Sequence, residues 1–199
     1  MGLDLSYGAG QTPIDEDEKE GLLISTITTI KELDEFEQLN IEKAVEYYLL
    51  SKKFKLTDIL TEKFIFGVHK RMLGDVWSWA GAPRKSNKNI GVDKFHISTR
   101  LRQLLENCNY WIEHNTFPEE EIAIRFKHEP VAIHVFPNAN GRHSRLLGDI
   151  IMKHVYKKSI FTWGQKNLIH KSSIRDTYIK ALRKADNGDF IDLISFSQS

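Results

Sequence analysis

Apolar residues return every three or four positions along most of this chain, and that spacing predicts a series of amphipathic helices. Leu33, Phe36, Ile41, Ala44, Val45 and Tyr48 form a broad stripe over residues 33–51. Leu60, Phe64, Val68 and Met72 repeat every four residues behind Thr57, a residue type that caps helices. Ser98 stands in the same relation to Leu101, Leu104, Leu105, Cys108, Trp111 and Ile112. Residues 119–133 carry Ile122, Phe126 and Ile133, with Pro130 expected to kink or restart the helix because it brings no N–H to the ladder. Leu146, Leu147, Ile150, Ile151 and Val155 mark another helix, and Ile174, Tyr178 and Leu182 a further one. Asn187-Gly188 closes the latter, glycine supplying a left-handed cap. A short last helix is expected after Asp189, through Phe190, Leu193 and Ile194.

Residues 77–97 break this rhythm. They hold glycine, proline and polar side chains without a helical period, and around 86–92 they predict an irregular hairpin. The expected fold class is therefore all-α, a helical bundle with a small β-hairpin flap. Residues 1–22 join a glycine-containing stretch to the acidic run Asp15-Glu16-Asp17-Glu18-Lys19-Glu20. They read as a flexible, solvated lead-in to a single domain over 23–199.

Charge narrows the partners. Lys and Arg number 28 against 27 Asp and Glu, a net charge of +1, so no global field recruits nucleic acid or an anionic membrane. An anion site must be local. The only cysteine, Cys108, excludes an internal disulfide and a thiolate-rich zinc site, and its place in an apolar stripe makes it a core residue. No apolar run approaches the ~20 residues that span a bilayer. The first residues lack the basic-then-apolar layout of a signal peptide, so the expected location is cytoplasmic.

The segment with chemical content is His134-Val135-Phe136-Pro137-Asn138-Ala139-Asn140-Gly141-Arg142-His143-Ser144-Arg145, at a junction between two predicted helices. Its Asn, Ala, Asn and Gly residues favour a tight turn in which backbone N–H groups converge. The next helix adds unpaired N–H donors and a partial positive charge. Arg142 and Arg145, three apart, share one face of its first turn. Two guanidiniums beside such donors suit a polyanion such as a nucleotide polyphosphate, although they oppose the helix dipole and each other. His134, at the mouth of the loop, has the titration range of a general base toward a hydroxyl. Phe136 reads as a core anchor, and His143 as a surface or supporting residue.

These residues resemble the Fic family, whose signature is H-x-F-x-[D/E]-G-N-G-R-x-x-R; His134, Phe136, Asn140, Gly141, Arg142 and Arg145 match in identity and spacing. W-S-W-A-G-A-P-R at 77–84 and N-I-G-V at 89–92 are similar to the region leading into the family's target-docking flap. Residues 178–189 are similar to its C-terminal part. The T-T-I-K-E-L-D-E-F-E block at 28–37 further resembles the branch called mobile mystery protein B. The resemblance implies a protein adenylyltransferase that moves AMP from ATP, with Mg²⁺, onto a Ser, Thr or Tyr hydroxyl of a target protein. His134 would be the base. Asn140, Ala139 and the backbone at Gly141 would cradle phosphates that Arg142 and Arg145 neutralise. Lys88, Asn89, Ile90, Gly91 and Val92 would hold the target as an added strand.

Four departures bear on that expectation. Asn138 stands where the family has a metal-ligating acid, so its carboxamide offers Mg²⁺ no charge. Ala139 replaces a glycine, at a cost if φ is positive. Val135 replaces the usual proline, and Pro130 falls in a helix normally unbroken; both could shift His134. The family's restraint on activity is a glutamate in an [S/T]-x-x-x-E-[G/N] helix. Thr28 and Glu32 have that spacing but Leu33 breaks the pattern, leaving Glu32 as the inhibitory candidate beside an ordinary capping role. Phosphotransfer or removal of AMP on the same scaffold, and a decayed nucleotide-binding module, stay open. So do an antitoxin-like partner and the oligomeric state.

Overall fold

Nearly every apolar stripe finds a partner, and the result is helical throughout. The computed structural model describes residues 14–164 and 171–199. In chain order the α-helices are α1 (Glu16–Lys19), α2 (Ile30–Val45), α3 (Leu56–Ile59), α4 (Glu62–Leu73), α5 (Ile97–His114), α6 (Glu119–Ile133), α7 (Asn140–Ile150), α8 (Lys171–Asp186) and α9 (Ile191–Ser197). Wider π-helical turns, Glu46–Ser51 and Ile151–Tyr156, extend α2 and α7, and a 3₁₀ turn, Lys94–His96, leads into α5. The expectations for residues 1–13 and for the Ile174 side chain lie outside the described residues and side chains.

Two contacts build the centre: α2 against α4, and α6 against α7, with α5 alongside α6 and α4 touching α7. Ile122, Phe126, Ile133, Leu147 and Ile150 are buried between them. Each such side chain contributes roughly 1.5–3 kcal/mol on leaving water. The loop at 134–139 joins α6 to α7, one of these two central pairs, so its ends are held by the core.

Several boundaries differ from the sequence expectation. The stripe behind Thr57 is cut in two, because Leu60 leaves helical geometry (φ −83°, ψ 52°). Thr61 then caps α4 by accepting from the Phe64 N–H. Helix α5 starts without a side-chain cap, Ser98 lying inside it, and Asp93 caps the preceding 3₁₀ turn instead. Pro130 is carried within an unbroken α6, where a proline deletes one ladder bond. Gly188, at φ +87°, closes α8 as expected.

The hairpin did not form. Among the described residues the only β pairing is an isolated bridge between Leu22 and Trp77, and residues 85–92 are a series of bends. The reason is Arg84, which is 3% exposed. Its guanidinium donates to the carbonyls of Ser86, Val92 and His134, and so satisfies groups that a ladder would have paired. The described part of the lead-in makes contacts of its own. Asp15 and Glu18 pair with Lys88 at 2.7 Å each, and Trp79 Nε1 donates to the Glu18 carbonyl. The acidic run is therefore docked on the flap.

Candidate active site

Helix α6 ends on His134, which adopts left-handed geometry (φ 56°, ψ 63°) while its N–H still bonds the Pro130 and Val131 carbonyls. The reversal turns the chain into the loop and leaves the imidazole 4% exposed. Its Nε2 is buried with no hydrogen-bond partner among the described residues. Burial, then the positive charges of Arg84 and Lys88, lower its pKa to about 4. The ring is neutral at pH 7, and Nε2 is committed to no other described group.

The flap presses directly on this histidine. Gly91 has φ +91°, and a Cβ there would lie 2.5 Å from the His134 Cβ and 2.8 Å from the Ile133 carbonyl. Only glycine permits that approach. Val92 N–H bonds the Ile133 carbonyl at 3.2 Å, and Arg84 N–H bonds the Val135 carbonyl at 2.9 Å. Asn89, Ile90 and Gly91 are exposed, whereas the Lys88 side chain is almost fully enclosed by its two carboxylates.

Inside the loop, Asn140 has a different task from the one expected of it. Its Oδ1 accepts from the Phe136 N–H at 2.9 Å and its Nδ2 donates to the Phe136 carbonyl at 2.8 Å. The side chain staples the loop shut and does not face outward toward phosphate. Ala139 takes φ +60°, the strained value that its glycine-like position foretold, and serves as N-cap of α7. A Cβ on Gly141 would meet nothing within 4 Å, so open space lies beside the first turn of α7.

The two arginines part company. Arg142 reaches α2, where Glu37, 3% exposed, binds it at 2.6 Å and takes a 2.7 Å hydrogen bond from Trp77 Nε1. Burial, and then Glu37 itself, raise the pKa of nearby Asp34. Arg145 instead turns toward α8, its guanidinium 5.7 Å from the Tyr178 ring centroid. Around it, burial raises Asp149 to about 7 and Tyr178 to about 12, and depresses the fully buried Lys127, whose Nζ lies 2.6 Å from the Tyr178 hydroxyl.

Glu32, the sequence candidate for an inhibitory contact, is occupied at its own helix end. It accepts from the backbone N–H and hydroxyl groups of Thr28 and Thr29 and is half-buried there. The carboxylate that meets a motif arginine is Glu37, one turn further along. Its signal was present in the sequence as an acid at a position facing the apolar stripe of α2. Of the two places open to His143, it takes the supporting one: it is fully buried against the Phe136 ring, with Nε2 3.0 Å from the Ile65 carbonyl. Buried Arg84 and His69 were also missed, because nothing in a single sequence marks a polar residue as enclosed.

The donors for a divalent cation are few. Asn138 turns its Oδ1 onto the Ala139 N–H, and no group of three or more His, Cys, Asp or Glu residues able to hold a metal occurs among the described residues. The residues do not fit a protein-built Mg²⁺ site. No described helix is long and apolar enough to cross a membrane.

Comparison with known proteins agrees with this architecture. Residues 59–152 match the sequence family described as Fic/DOC. The fold is similar to that of BepC, a VirB-translocated effector of Bartonella tribocorum solved with bound AMPPNP. The TM-score is 0.67 at 14% identity, over 92% of this chain and 97% of that one. It is similar to the N-terminal Fic domain of a putative cell filamentation protein of Bartonella quintana, solved with bound ADP. There the TM-score is 0.63 at 14% identity, over 87% of this chain and 86% of the other. Fic-1 of C. elegans gives 0.63 at 22% identity over 90% of this chain, which spans 50% of the Fic-1 chain.

Proposed function

We propose, on the match of residues 59–152 to the Fic/DOC family, that this chain transfers AMP from ATP to a hydroxyl of a target protein. The observation that carries this reading is the buried, unpartnered Nε2 of His134, on a neutral ring at the mouth of the loop that starts α7. A hydroxyl placed against that nitrogen gives up its proton as its oxygen attacks the α-phosphorus, and pyrophosphate leaves. Phosphates fit the open space beside Gly141, at the N-terminal donors of α7. Arg145 then supplies positive charge to the phosphates, and Arg142 adds to it in competition with its ion pair to Glu37. Positioning and charge stabilisation would provide most of the rate, as phosphoryl-type transfer requires. The target segment lies along the exposed residues Asn89, Ile90 and Gly91, of which Gly91 borders His134. Mg²⁺ is expected to travel on the nucleotide's own oxygens, since Asn138 brings it no charge.

Incubation of the protein and a cell lysate with α-labelled or γ-labelled ATP tests the reading. Label retained from α-labelled ATP alone, and lost in His134→Ala, is the expected result. Label from γ-labelled ATP alone replaces AMP transfer with phosphotransfer, and label from neither removes the assignment.

A further inference from the structure

His69 lies outside the signature, yet it touches the signature loop from beneath. It is on α4, fully buried, with the Phe136 ring stacked on it at 3.7 Å and 14° between planes. The Gly81 N–H, which can only donate, points at Nδ1 at 3.0 Å. The Asn138 carbonyl, which can only accept, lies 3.1 Å from Nε2. These two partners fix the tautomer: Nδ1 carries the lone pair and Nε2 the proton. Burial, and then the neighbouring His143, push the pKa well below the ordinary value, so the ring stays in this neutral form.

The Asn138 carbonyl belongs to the peptide whose N–H is that of Ala139. A trans peptide is planar, with C=O and N–H on opposite sides. Holding the carbonyl down onto α4 therefore turns the Ala139 N–H away from α4, at the residue that opens α7. That N–H currently donates to the Asn138 side chain, a neutral oxygen that an anionic one would replace. The strained φ of Ala139 makes the tie more consequential, because this peptide has a low-energy reason to flip.

We propose that His69 is a positioning residue for nucleotide binding: its Nε2–H fixes the 138–139 peptide so that the Ala139 N–H faces the phosphates. The proposal rests on the AMP-transfer reading for the identity of the anion, but the orientation of the peptide stands apart from it.

Two substitutions separate the ties. His69→Gln can return a donor near the Nε2 position and keep the hold on the Asn138 carbonyl. His69→Asn can reproduce the Nδ1 position and keep only the bond from Gly81. Both lose the stacking on Phe136, so a purely structural role moves them together. In ¹⁵N-resolved amide exchange without nucleotide, the Ala139 N–H of the Asn variant is expected to exchange at least ~10-fold faster than that of the Gln variant. ATP affinity by calorimetry is expected to fall ~10- to 100-fold in the Asn variant and to stay within about 3-fold of wild type in the Gln variant. Equal effects of the two variants on the Ala139 amide overturn the proposal. A split in amide exchange with no ATP binding by the wild type retains the tie and rejects the AMP-transfer reading instead. Should either variant fail to fold, the ring ¹⁵N spectrum of the wild-type protein decides. Protonated Nε2 coupled to the Asn138 carbonyl supports the proposal, and protonated Nδ1 overturns it.

Discussion

Replacing Arg84 with methionine keeps the length and apolar stem of the side chain and removes its hydrogen bonds. Arg84 donates to the carbonyls of His134 and Ser86 at 2.7 Å each and to that of Val92, with a longer contact of 3.5 Å to Ile133. Bonds from a charged donor are worth roughly 1.5–3 kcal/mol each, and a buried acceptor left without one costs ~1–3 kcal/mol. The Ser86 and Val92 carbonyls belong to a partly exposed loop and recover water, whereas His134 is buried. The net loss is therefore expected to be about 3–5 kcal/mol, below the simple sum of the bonds. For a chain of this size each kcal/mol moves the melting temperature by ~2–4 °C, giving a fall on the order of 10 °C. Arg84→Lys, with one ammonium in place of the planar fork, should recover less than half of it. Calorimetric melting measures the total, and amide exchange at Val92, whose N–H bonds the Ile133 carbonyl, reports whether the flap has come away from His134. A methionine variant that melts within about 2 °C of wild type, with Val92 still protected, refutes the role given to Arg84.

Three further outcomes follow from the same geometry. Glu37→Gln keeps an acceptor for Trp77 but removes the carboxylate charge that holds Arg142; calorimetric ATP affinity should rise ~3- to 10-fold, with Glu32→Gly as the control that leaves it unchanged. Gly141→Ala should stabilise α7 by ~0.5–1 kcal/mol in thermal melts, because helical glycine is costly, yet weaken ATP by filling the open space beside it. The base must be neutral to act and its pKa is lowered to about 4, so the acid limb of kcat/KM for AMP transfer should fall near pH 4; a limb at the ordinary histidine value would mean that burial does not control His134.

The helices were legible because they depend on local periodicity. Helix α6 runs over the residues its apolar pattern marked, and Gly188 closes α8 where the Asn-Gly pair stood. Thr57 misled because a four-residue repeat continues in sequence across Leu60 even though the backbone leaves the helix there. The flap misled for a different reason. Glycine and polar residues are compatible with a hairpin, and only tertiary structure shows that Arg84 has claimed the carbonyls. In the site, the residues of the junction were legible as a set, but their partners were not. Asn140 looked like a phosphate ligand until Phe136 took both ends of its amide. Glu32 and Glu37 are equivalent as letters, and one accepts from the Thr28 and Thr29 N–H groups at its own helix end while the other is buried against Arg142.

The central claim concerns a triphosphate held at the start of α7 within reach of the His134 imidazole, and isothermal titration with ATP addresses it most directly. The wild-type protein and His134→Ala should bind ATP with similar affinity, since the ring acts on the hydroxyl, and Arg145→Ala should bind it at least ~10-fold more weakly. Undiminished binding by Arg145→Ala, or no binding by the wild type, would contradict the account.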